Sequence, residues 1–255
     1  MRQFGLIGYP LSHSFSKGFF TQKFLKENIA NVQYENFPIA SIHAFDALWQ
    51  DPNLEGLNVT IPYKKEVIAF VHHPSTVVSK INACNCIRRY KNELYGYNTD
   101  VVGFEKSLLP LLKPSHTQAL ILGTGGAAAA VEWVLQKLSI TYQLVSRNKQ
   151  ANASIFNAPV IQYDSLNVDI ITKHTLIINT SPIGMYPNIQ EAPLIPFEAL
   201  GATHYLYDLV YNPAETLFLA RGKEKGAAIK NGLDMLHLQA KESWNIWNAA
   251  TPPMQ

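Results

Sequence analysis

The chain has 255 residues, of which 47% are hydrophobic and 16% charged, and its formal net charge is +2. This composition predicts a folded globular protein with one large domain or two modest ones. The near-neutral charge, without a basic run, argues against nucleic acid and favours a small-molecule partner. The longest uncharged apolar run, 119–131, is too short to span a bilayer, and the N-terminus lacks a signal-peptide layout. We therefore expect a cytoplasmic protein that does not associate with a membrane.

The first hundred residues alternate between short apolar strands and amphipathic helices. The periodicity predicts strands at 3–8, 32–37 and 57–60 and helices at 16–28 and 42–49. Strands separated by helices favour parallel pairing. Alternation about Lys91-Asn92 predicts a hairpin over 84–97 at the sheet edge.

Two isolated charges stand out within otherwise uncharged motifs. Lys64 ends the segment GLNVTIPYK (56–64), and Asp100 ends GYNTD (96–100). Each follows an apolar run, so the two could meet in a cleft as a proton-transfer pair. The alternatives are a solvated lysine and an aspartate that caps a helix over 101–112.

The cysteines and histidines do not form a metal-ligand pattern. Cys84 and Cys86 are one residue apart, so their side chains point to opposite faces of a strand and a disulfide is not expected. No Cys/His pair accompanies them, and the eight histidines are scattered, so we expect no metal.

A glycine-rich turn lies between a predicted strand, 118–122, and a helix that runs to residue 138. In GTGGAA (123–128), Gly123 permits a tight turn, Gly125 lets a pyrophosphate approach the backbone, and Ala128 allows close helix packing. The helix N-terminus offers unpaired N–H groups to phosphates. The turn therefore indicates a dinucleotide site, the alternative being a plain connector. The candidate cofactor-binding residues here are Gly123, Gly125, Gly126 and Ala127.

The end of the next strand, 140–145, indicates which dinucleotide binds. An NAD site carries an acidic residue there for the ribose hydroxyls, but no Asp or Glu occurs between 133 and 163. The strand ends instead in Ser146-Arg147-Asn148-Lys149, and a guanidinium suits a 2′-phosphate. NADP is the predicted cofactor, unless this segment is only a solvated basic turn.

Eight sequence blocks, in order, resemble the shikimate dehydrogenase family. They are GYPLSHSFS (8–16), GLNVTIPYK (56–64), NACNC (82–86), GYNTD (96–100), GTGGAA (123–128), NTSPIGM (179–185), DLVYNPAET (208–216) and GLDMLHLQA (232–240). The resemblance implies reversible, NADPH-dependent reduction of 3-dehydroshikimate to shikimate, on the route to chorismate and the aromatic amino acids.

The resemblance also implies roles for individual residues. Lys64 is the acid/base that protonates the carbonyl oxygen after hydride delivery, and Asp100 supplies orientation and electrostatics. A neutral Asn85 can donate to and accept from a ring hydroxyl. The implied substrate contacts are Ser14 and Ser16 to the carboxylate, and Thr60, Lys64, Asn85, Asp100, Tyr211 and Gln239. The implied cofactor contacts include Ser146, Arg147, Leu209, Gly232 and Met235.

Some positions depart from the family pattern. Lys17 stands for a proline, Asn82 for a glycine, Cys86 for a threonine, Ser146 for an asparagine, Asn148 for a threonine, Ala151 for a second basic residue, and Thr76 for an acidic one. Of the phosphate-binding residues, Arg147 and Lys149 remain. NADP preference is therefore expected to be weaker than is usual in the family.

We expect two α/β domains with the active site in a cleft between them. A substrate domain over 1–100 is completed by 233–255, and a Rossmann-like NADP-binding domain covers 101–232. Motion about the two crossings would close the cleft. The alternatives are a quinate/shikimate dehydrogenase accepting NAD and a non-catalytic ligand sensor. Whether the chain is a monomer or a homodimer stays open.

Overall fold

The computed structural model describes residues 1–11, 14–147 and 154–253, which form two compact units. The first unit comprises Met1–Thr99 and Ala240–Gln255, and the second comprises Asp100–Gln239. The second crossing between the units, from Gln239 to Ala240, falls inside a continuous helix, Leu233–Asn248. The helix shows no break at this crossing, so the sequence carries no local signal for it.

The first unit contains a mixed sheet that has six strands within the described residues. They are β1 (Arg2–Gly8), β2 (Val32–Pro38), β3 (Leu54–Val59), β4 (His73–Pro74), β5 (Cys86–Tyr90) and β6 (Glu93–Tyr97). The strand order is β2-β1-β3-β5-β6-β4. Both neighbours of β1 pair with it in parallel, as the helix-separated strands predict. Its helices are α1 (Phe15–Lys26), α2 (Phe45–Leu48) and α3 (Thr76–Ile81).

Two expectations for this unit need correction. The β5–β6 hairpin forms about Lys91-Asn92, but β4 pairs with β6 and lies outside it, so the hairpin is not the edge. A two-residue strand is too short to produce a readable alternation. The predicted helix over 42–49 divides into a 3₁₀ turn, Ile42–Ala44, and the single turn α2.

Apolar clusters cover the two faces of this sheet. Cys84 belongs to one cluster and Cys86 to the other, and both are free thiols. This placement confirms that the two side chains face opposite ways. The C-terminal half of the last helix covers the second face, where Trp247 stacks on Phe4 with ring centroids 4.7 Å apart. The indole N–H of Trp247 also donates to the Ile87 carbonyl at 2.9 Å.

The second unit contains an all-parallel sheet, as expected for a Rossmann-like fold. Its strands within the described residues are β7 (Gln118–Leu122), β8 (Thr141–Ser146), β9 (Val160–Gln162), β10 (Leu176–Asn179), β11 (Tyr205–Asp208) and β12 (Ala228–Lys230). The order is β12-β11-β10-β7-β8-β9. The helices here are α4 (Thr99–Leu108), α5 (Gly126–Lys137), α6 (Val168–Lys173), α7 (Leu217–Glu224) and α8 (Leu233–Asn248), of which α4 and α8 cross the unit boundaries.

The connectivity of this sheet creates a natural ligand position. The chain passes from β7 to β8 on one side, and β10 returns to the other side of β7. Strand order therefore reverses at β7, and crevices at such switch points, beyond the carboxyl ends of the strands, bind ligands in open α/β sheets. The glycine-rich turn follows β7 at this position.

Candidate active site

The turn after β7 has the geometry that its glycines predict. Gly123 has φ +118°, a conformation that favours glycine, and an added Cβ would lie 2.8 Å from Thr180 Oγ1. Both the backbone conformation and the lack of space therefore exclude a side chain. Added Cβ atoms at Gly125 and Gly126 would meet nothing within 4 Å, which leaves open space beside the backbone. Helix α5 begins at Gly126 and continues with Ala127, so its first N–H groups border that space.

A cavity of about 1110 Å³ opens at this turn. The carboxyl ends of three neighbouring strands line it: Gly123–Gly125 after β7, Val145–Arg147 at β8, and Thr180–Ile183 after β10. Thr180 also fixes the end of β7, because its hydroxyl donates to the Leu122 carbonyl at 3.1 Å. The cavity therefore lies at the switch point of the sheet.

Arg147 also lines this cavity. Its side chain is exposed, and it also lines an adjoining pocket of about 200 Å³ together with Ser146, Gln162 and Tyr163. Burial raises the pKa of Tyr163 to about 12, while the charge of Arg147 opposes that rise, so the guanidinium is close to the phenol. Residues 148–153, which include Asn148, Lys149 and Ala151, lie outside the described residues.

The loop after β11 is fixed by a buried carboxylate. Asp208 Oδ1 accepts from Asn179 Nδ2 at 2.9 Å and from the Val210 N–H at 3.0 Å, and Oδ2 accepts from Thr216 Oγ1 at 2.6 Å. Burial raises the pKa of Asp208 to about 6 although these hydrogen bonds, that of Thr216 above all, favour the ionised form. The carboxylate thus holds the backbone on which Leu209 and Tyr211 lie.

The backbones of Leu209 and Gly232 are in close contact. A Cβ at Gly232 would overlap the Leu209 carbonyl group, and the Gly232 N–H donates to the Val210 carbonyl at 3.2 Å. Met235 follows in the first turn of α8 and is buried. The structure therefore groups these three predicted cofactor residues. Tyr211, in the same loop, is 37% exposed, so its ring is available to a ligand.

Asp100 and Gln239 belong to two helices of the second unit that cross closely. An added Cβ at Gly103 would lie 2.6 Å from the Met235 carbonyl oxygen and 3.1 Å from Gln239 Cβ. Because Asp100 precedes Gly103 by three residues on α4, it lies about one helical turn from that crossing. Asp100 is half-buried inside the first turn of α4, which begins at Thr99, so it is not the N-cap residue.

In the first unit, Thr60 and Lys64 follow the carboxyl end of β3. The Thr60 N–H donates to the Ile7 carbonyl at 2.9 Å, and its own carbonyl accepts from the Tyr63 N–H at 3.0 Å. The Tyr63 hydroxyl then donates to the Ile39 carbonyl at 2.7 Å. The Lys64 carbonyl accepts from the Cys84 N–H at 2.7 Å, and its side chain is half-buried. Lys64 is thus carried on a turn fixed at several points.

Ser14 and Ser16 begin helix α1. Ser14 occupies the N-cap position but makes no side-chain cap hydrogen bond, and its buried Oγ has no partner among the described residues. A buried hydroxyl without a partner is costly, and a ligand oxygen would satisfy it. Burial raises the pKa of Tyr34 well above its usual value, opposed by a hydrogen bond with the Ser16 side chain.

Asn85 is buried and its carbonyl oxygen is already engaged. Oδ1 accepts from the Thr99 N–H at 2.7 Å and from Thr99 Oγ1 at 3.2 Å. An amide oxygen has two lone pairs, so both are used. The expectation that Asn85 both donates to and accepts from a substrate hydroxyl stays a prediction, and in this structure its Nδ2 is the group better suited to a ligand.

The substitutions near the first unit's site residues fit their positions. Asn82 ends α3 with φ 53°, a left-handed conformation that asparagine tolerates better than most residues other than glycine. Lys17 pairs with Glu35 at 2.6 Å on the surface. Burial raises the pKa of Cys86 far above its usual value, so this residue stays a neutral thiol.

Several residues of interest are not predicted as site residues from the sequence. Asp208 and the segment Thr180–Ile183 lie in quoted motifs but have no predicted role. The sequence signal that could have identified them is their position. Thr180–Ile183 follows β10, which is next to β7, and Asp208 ends β11, which is one strand further out. Among the described residues, no three His, Cys, Asp or Glu side chains group as a metal site requires. Across the same residues, no helix combines the length and apolar character needed to cross a membrane.

These features define a dinucleotide-binding α/β protein with a second, mixed-sheet unit, and comparison with known proteins identifies the family. A model described as the shikimate dehydrogenase substrate binding domain matches residues 6–87. A shikimate dehydrogenase (NADP(+)) from Carboxydothermus hydrogenoformans is 33% identical, with 98% of this chain and 93% of that protein covered. The chain belongs to the shikimate dehydrogenase family.

Two solved structures extend the likeness over both units. Shikimate dehydrogenase from Aquifex aeolicus is 30% identical with a TM-score of 0.86, and the match covers 100% of this chain and 95% of that one. The enzyme from Thermus thermophilus, in complex with NADP(H) and shikimate, is 26% identical with a TM-score of 0.85. That match covers 99% of this chain and 95% of the other.

Proposed function

We propose that this protein is an NADP-dependent shikimate dehydrogenase, which reversibly reduces 3-dehydroshikimate to shikimate. The structural observation that carries the proposal is the cavity at the Gly123 turn, which Arg147 also lines. The full-length match to a relative named shikimate dehydrogenase (NADP(+)) supports it, because that match covers both units.

The residues around the cavity fit NADP. The open space beside Gly125 and Gly126 admits a pyrophosphate, and the α5 N-terminus directs N–H groups toward it. Arg147 suits the 2′-phosphate, and the absence of Asp and Glu between 133 and 163 removes the usual partner of the free ribose hydroxyl in NAD. When bound, NADPH supplies the hydride.

The proposed substrate contacts are the residues whose roles the family resemblance implies. Ser14 and Ser16 bind the carboxylate, and the unpartnered Ser14 Oγ fits an added acceptor. Asn85 donates through Nδ2 to a ring oxygen, since Thr99 occupies its carbonyl oxygen. We assign the remaining hydroxyl contacts to Thr60, Asp100, Tyr211 and Gln239.

Lys64 carries the proton transfer in this proposal. Hydride delivery to the carbonyl carbon builds negative charge on its oxygen, and a proton from Lys64 Nζ neutralises that charge. In the reverse direction the neutral amine takes the proton from the hydroxyl. We assign Asp100 to orientation of the substrate and to the electrostatics of the site.

The test is the reaction itself, followed as NADP⁺ reduction at 340 nm with shikimate and as NADPH oxidation with 3-dehydroshikimate. Parallel assays with quinate and with NAD⁺ test the nearest alternative enzyme. Shikimate-dependent NADP⁺ reduction with a higher kcat/KM than either alternative pair supports the proposal. Binding of shikimate without turnover would instead identify a ligand sensor.

A further inference from the structure

A buried polar cluster in the first unit links two of the proposed substrate-binding residues. Its members are Tyr34, Asn58, Asn85, Thr99 and Ser243, which are between 0% and 6% exposed. Of these five residues, only Asn85 has a proposed role in substrate binding. Buried polar groups are expensive unless they are hydrogen-bonded, so such a cluster is maintained only if its members satisfy one another.

Asn58, on β3, is the centre of the cluster. Its Oδ1 accepts from the Tyr34 hydroxyl at 2.9 Å. Its Nδ2 donates to Ser243 Oγ at 2.8 Å and to the backbone carbonyl of Asn85 at 3.3 Å. Both amide hydrogens and one oxygen lone pair are thus engaged. Tyr34 extends the cluster to Ser16 through a further hydrogen bond.

Backbone groups fix the orientation of both asparagine side chains. A backbone carbonyl can only accept, so the Asn58 atom facing Asn85 O is the amide nitrogen. A backbone N–H can only donate, so the Asn85 atom facing Thr99 N is the carbonyl oxygen. Neither side chain can rotate by 180° about its amide without placing like groups together.

Ser243 joins the two asparagines by a second route. The Thr99 hydroxyl donates to Asn85 Oδ1 at 3.2 Å and lies 3.4 Å from Ser243 Oγ, a contact in which either hydroxyl can be the donor. Ser243 in turn accepts from Asn58. These contacts connect Tyr34 through Asn58, Ser243 and Thr99 to Asn85.

We propose that Asn58 and Ser243 are positioning residues, which hold the Asn85 side chain with its amide nitrogen toward the substrate. Asn85 is then a donor only, and the substrate atom that it contacts is an oxygen that accepts. The inference rests on the proposed shikimate dehydrogenase function and adds residues that act on the substrate through Asn85.

The test compares Asn58→Ala, Ser243→Ala and Asn85→Ala, alone and in the Asn58→Ala/Asn85→Ala pair. We expect Asn58→Ala and Ser243→Ala each to raise the KM for shikimate about tenfold, the scale of one lost hydrogen bond. The dissociation constant of NADP⁺ should stay unchanged. In the pair, Asn58→Ala should add little to the effect of Asn85→Ala, because it acts through that residue.

Ser107→Ala is the matched control. Ser107 is a buried serine of the second unit whose hydroxyl lies 2.6 Å from the Tyr207 hydroxyl, outside the cluster. Ser107→Ala should lower the Tm without changing the KM for shikimate. If Ser243 had a purely structural role, Ser243→Ala would give the same result. Ser243→Thr, which keeps the hydroxyl, should restore part of the wild-type KM.

Two results overturn the inference in an active wild-type enzyme. One is a KM for shikimate within twofold of wild type in folded Asn58→Ala and Ser243→Ala. The other is a double variant, Asn58→Ala/Asn85→Ala, in which the effects of the two single substitutions on the KM for shikimate are fully additive. If Asn58→Ala does not fold, Ser243→Ala decides alone. A wild-type protein that reduces no NADP⁺ with shikimate would refute the proposed function instead, so the two failures are distinguishable.

Discussion

Lys64 is the residue whose replacement tests the proposed proton transfer most directly. Lys64→Ala should lower kcat at least ~100-fold, the usual scale for the loss of a general acid/base, and Asp100→Asn should do so to a similar extent. The measurement is steady-state NADP⁺ reduction with saturating shikimate. Lys65→Ala, at the exposed neighbouring lysine, is the control and should keep wild-type kcat. Near-normal kcat in folded Lys64→Ala would remove Lys64 from the chemistry.

Arg147 is expected to set cofactor preference. Arg147→Ala should weaken NADPH binding by about 1.5–3 kcal/mol, the range for hydrogen bonds to charged groups, and leave NADH nearly unchanged. Fluorescence titration with each cofactor measures both constants. Arg221→Ala, which removes an arginine stacked on Phe197 in the same unit, is the control. Equal losses for the two cofactors would mean that Arg147 acts on the fold of the site.

The raised pKa of the buried Asp208 predicts that the stability of the protein depends on pH. Burial raises its pKa from 3.8 to about 6, so the folded state binds the proton more tightly than the unfolded chain does. The resulting stabilisation is complete below pH 3.8 and is lost as the pH rises through about 6. The difference corresponds to about 3 kcal/mol.

Asp208→Asn should abolish this pH dependence. An asparagine Oδ1 can still accept from Asn179 and Val210, while its amide faces Thr216 Oγ1. Urea unfolding between pH 4 and 7 should therefore show the free energy of unfolding of wild type falling, relative to the variant, by about 3 kcal/mol. Parallel curves for the two proteins would show that Asp208 does not titrate in this range.

At the residue scale, the sequence predicts the residues proposed to act on the ligands better than it predicts the residues that hold them in position. Lys64, Asp100 and Gly123 are identifiable because charge isolation and turn geometry are local properties. Asn58 and Ser243 are 185 positions apart, and their hydrogen bond arises only from the packing of α8 on the sheet. No local pattern distinguishes Ser243 from an ordinary polar residue of an amphipathic helix.

Among the elements, the start of α8 depends on one close backbone contact. Gly232→Ala would place a methyl group against the Leu209 carbonyl and force the loop after β11 to move. Overpacking of this kind destabilises by about 1–3 kcal/mol. We expect a lower Tm and a raised KM for NADP⁺, measured by thermal unfolding and kinetics. Gly201→Ala, at a glycine with open space around it, is the control. An unchanged KM for NADP⁺ would show that Leu209 and Met235 lie away from the bound cofactor.

Long elements follow from the sequence, whereas short ones do not. The strand, glycine turn and helix of β7 and α5 are predicted because a buried strand and a regular helix surround an unmistakable turn. β4 has two residues and α2 has four, so neither is long enough to repeat its pattern. Their positions are set by the sheet edge and by Phe45, which packs in the core.

At the scale of the whole molecule, we expect NADP⁺ and shikimate to protect different segments of the chain from amide hydrogen exchange. The cavity that we propose for NADP⁺ is lined by residues of the second unit, and the Ser14 and Lys64 segments belong to the first. Because a ligand suppresses local opening where it binds, each ligand should protect different amides from exchange. NADP⁺ alone should slow exchange at 123–127 and 180–185, whereas shikimate alone should slow it at 60–64 and at the start of α1.

Hydrogen exchange measured by mass spectrometry can separate these patterns. Arg147→Ala provides the internal check, since it should weaken the protection by NADP⁺ at 123–127 and leave the protection by shikimate at 60–64 intact. Protection by NADP⁺ that is strongest at 60–64 would contradict the assignment of the cofactor to the cavity at β7. Protection by shikimate that is confined to 123–127 would equally contradict the assignment of Ser14, Thr60 and Lys64 to the substrate. The assignment of NADP⁺ to the cavity at β7, and of shikimate to the Ser14, Thr60 and Lys64 segments, requires both patterns in the same preparation.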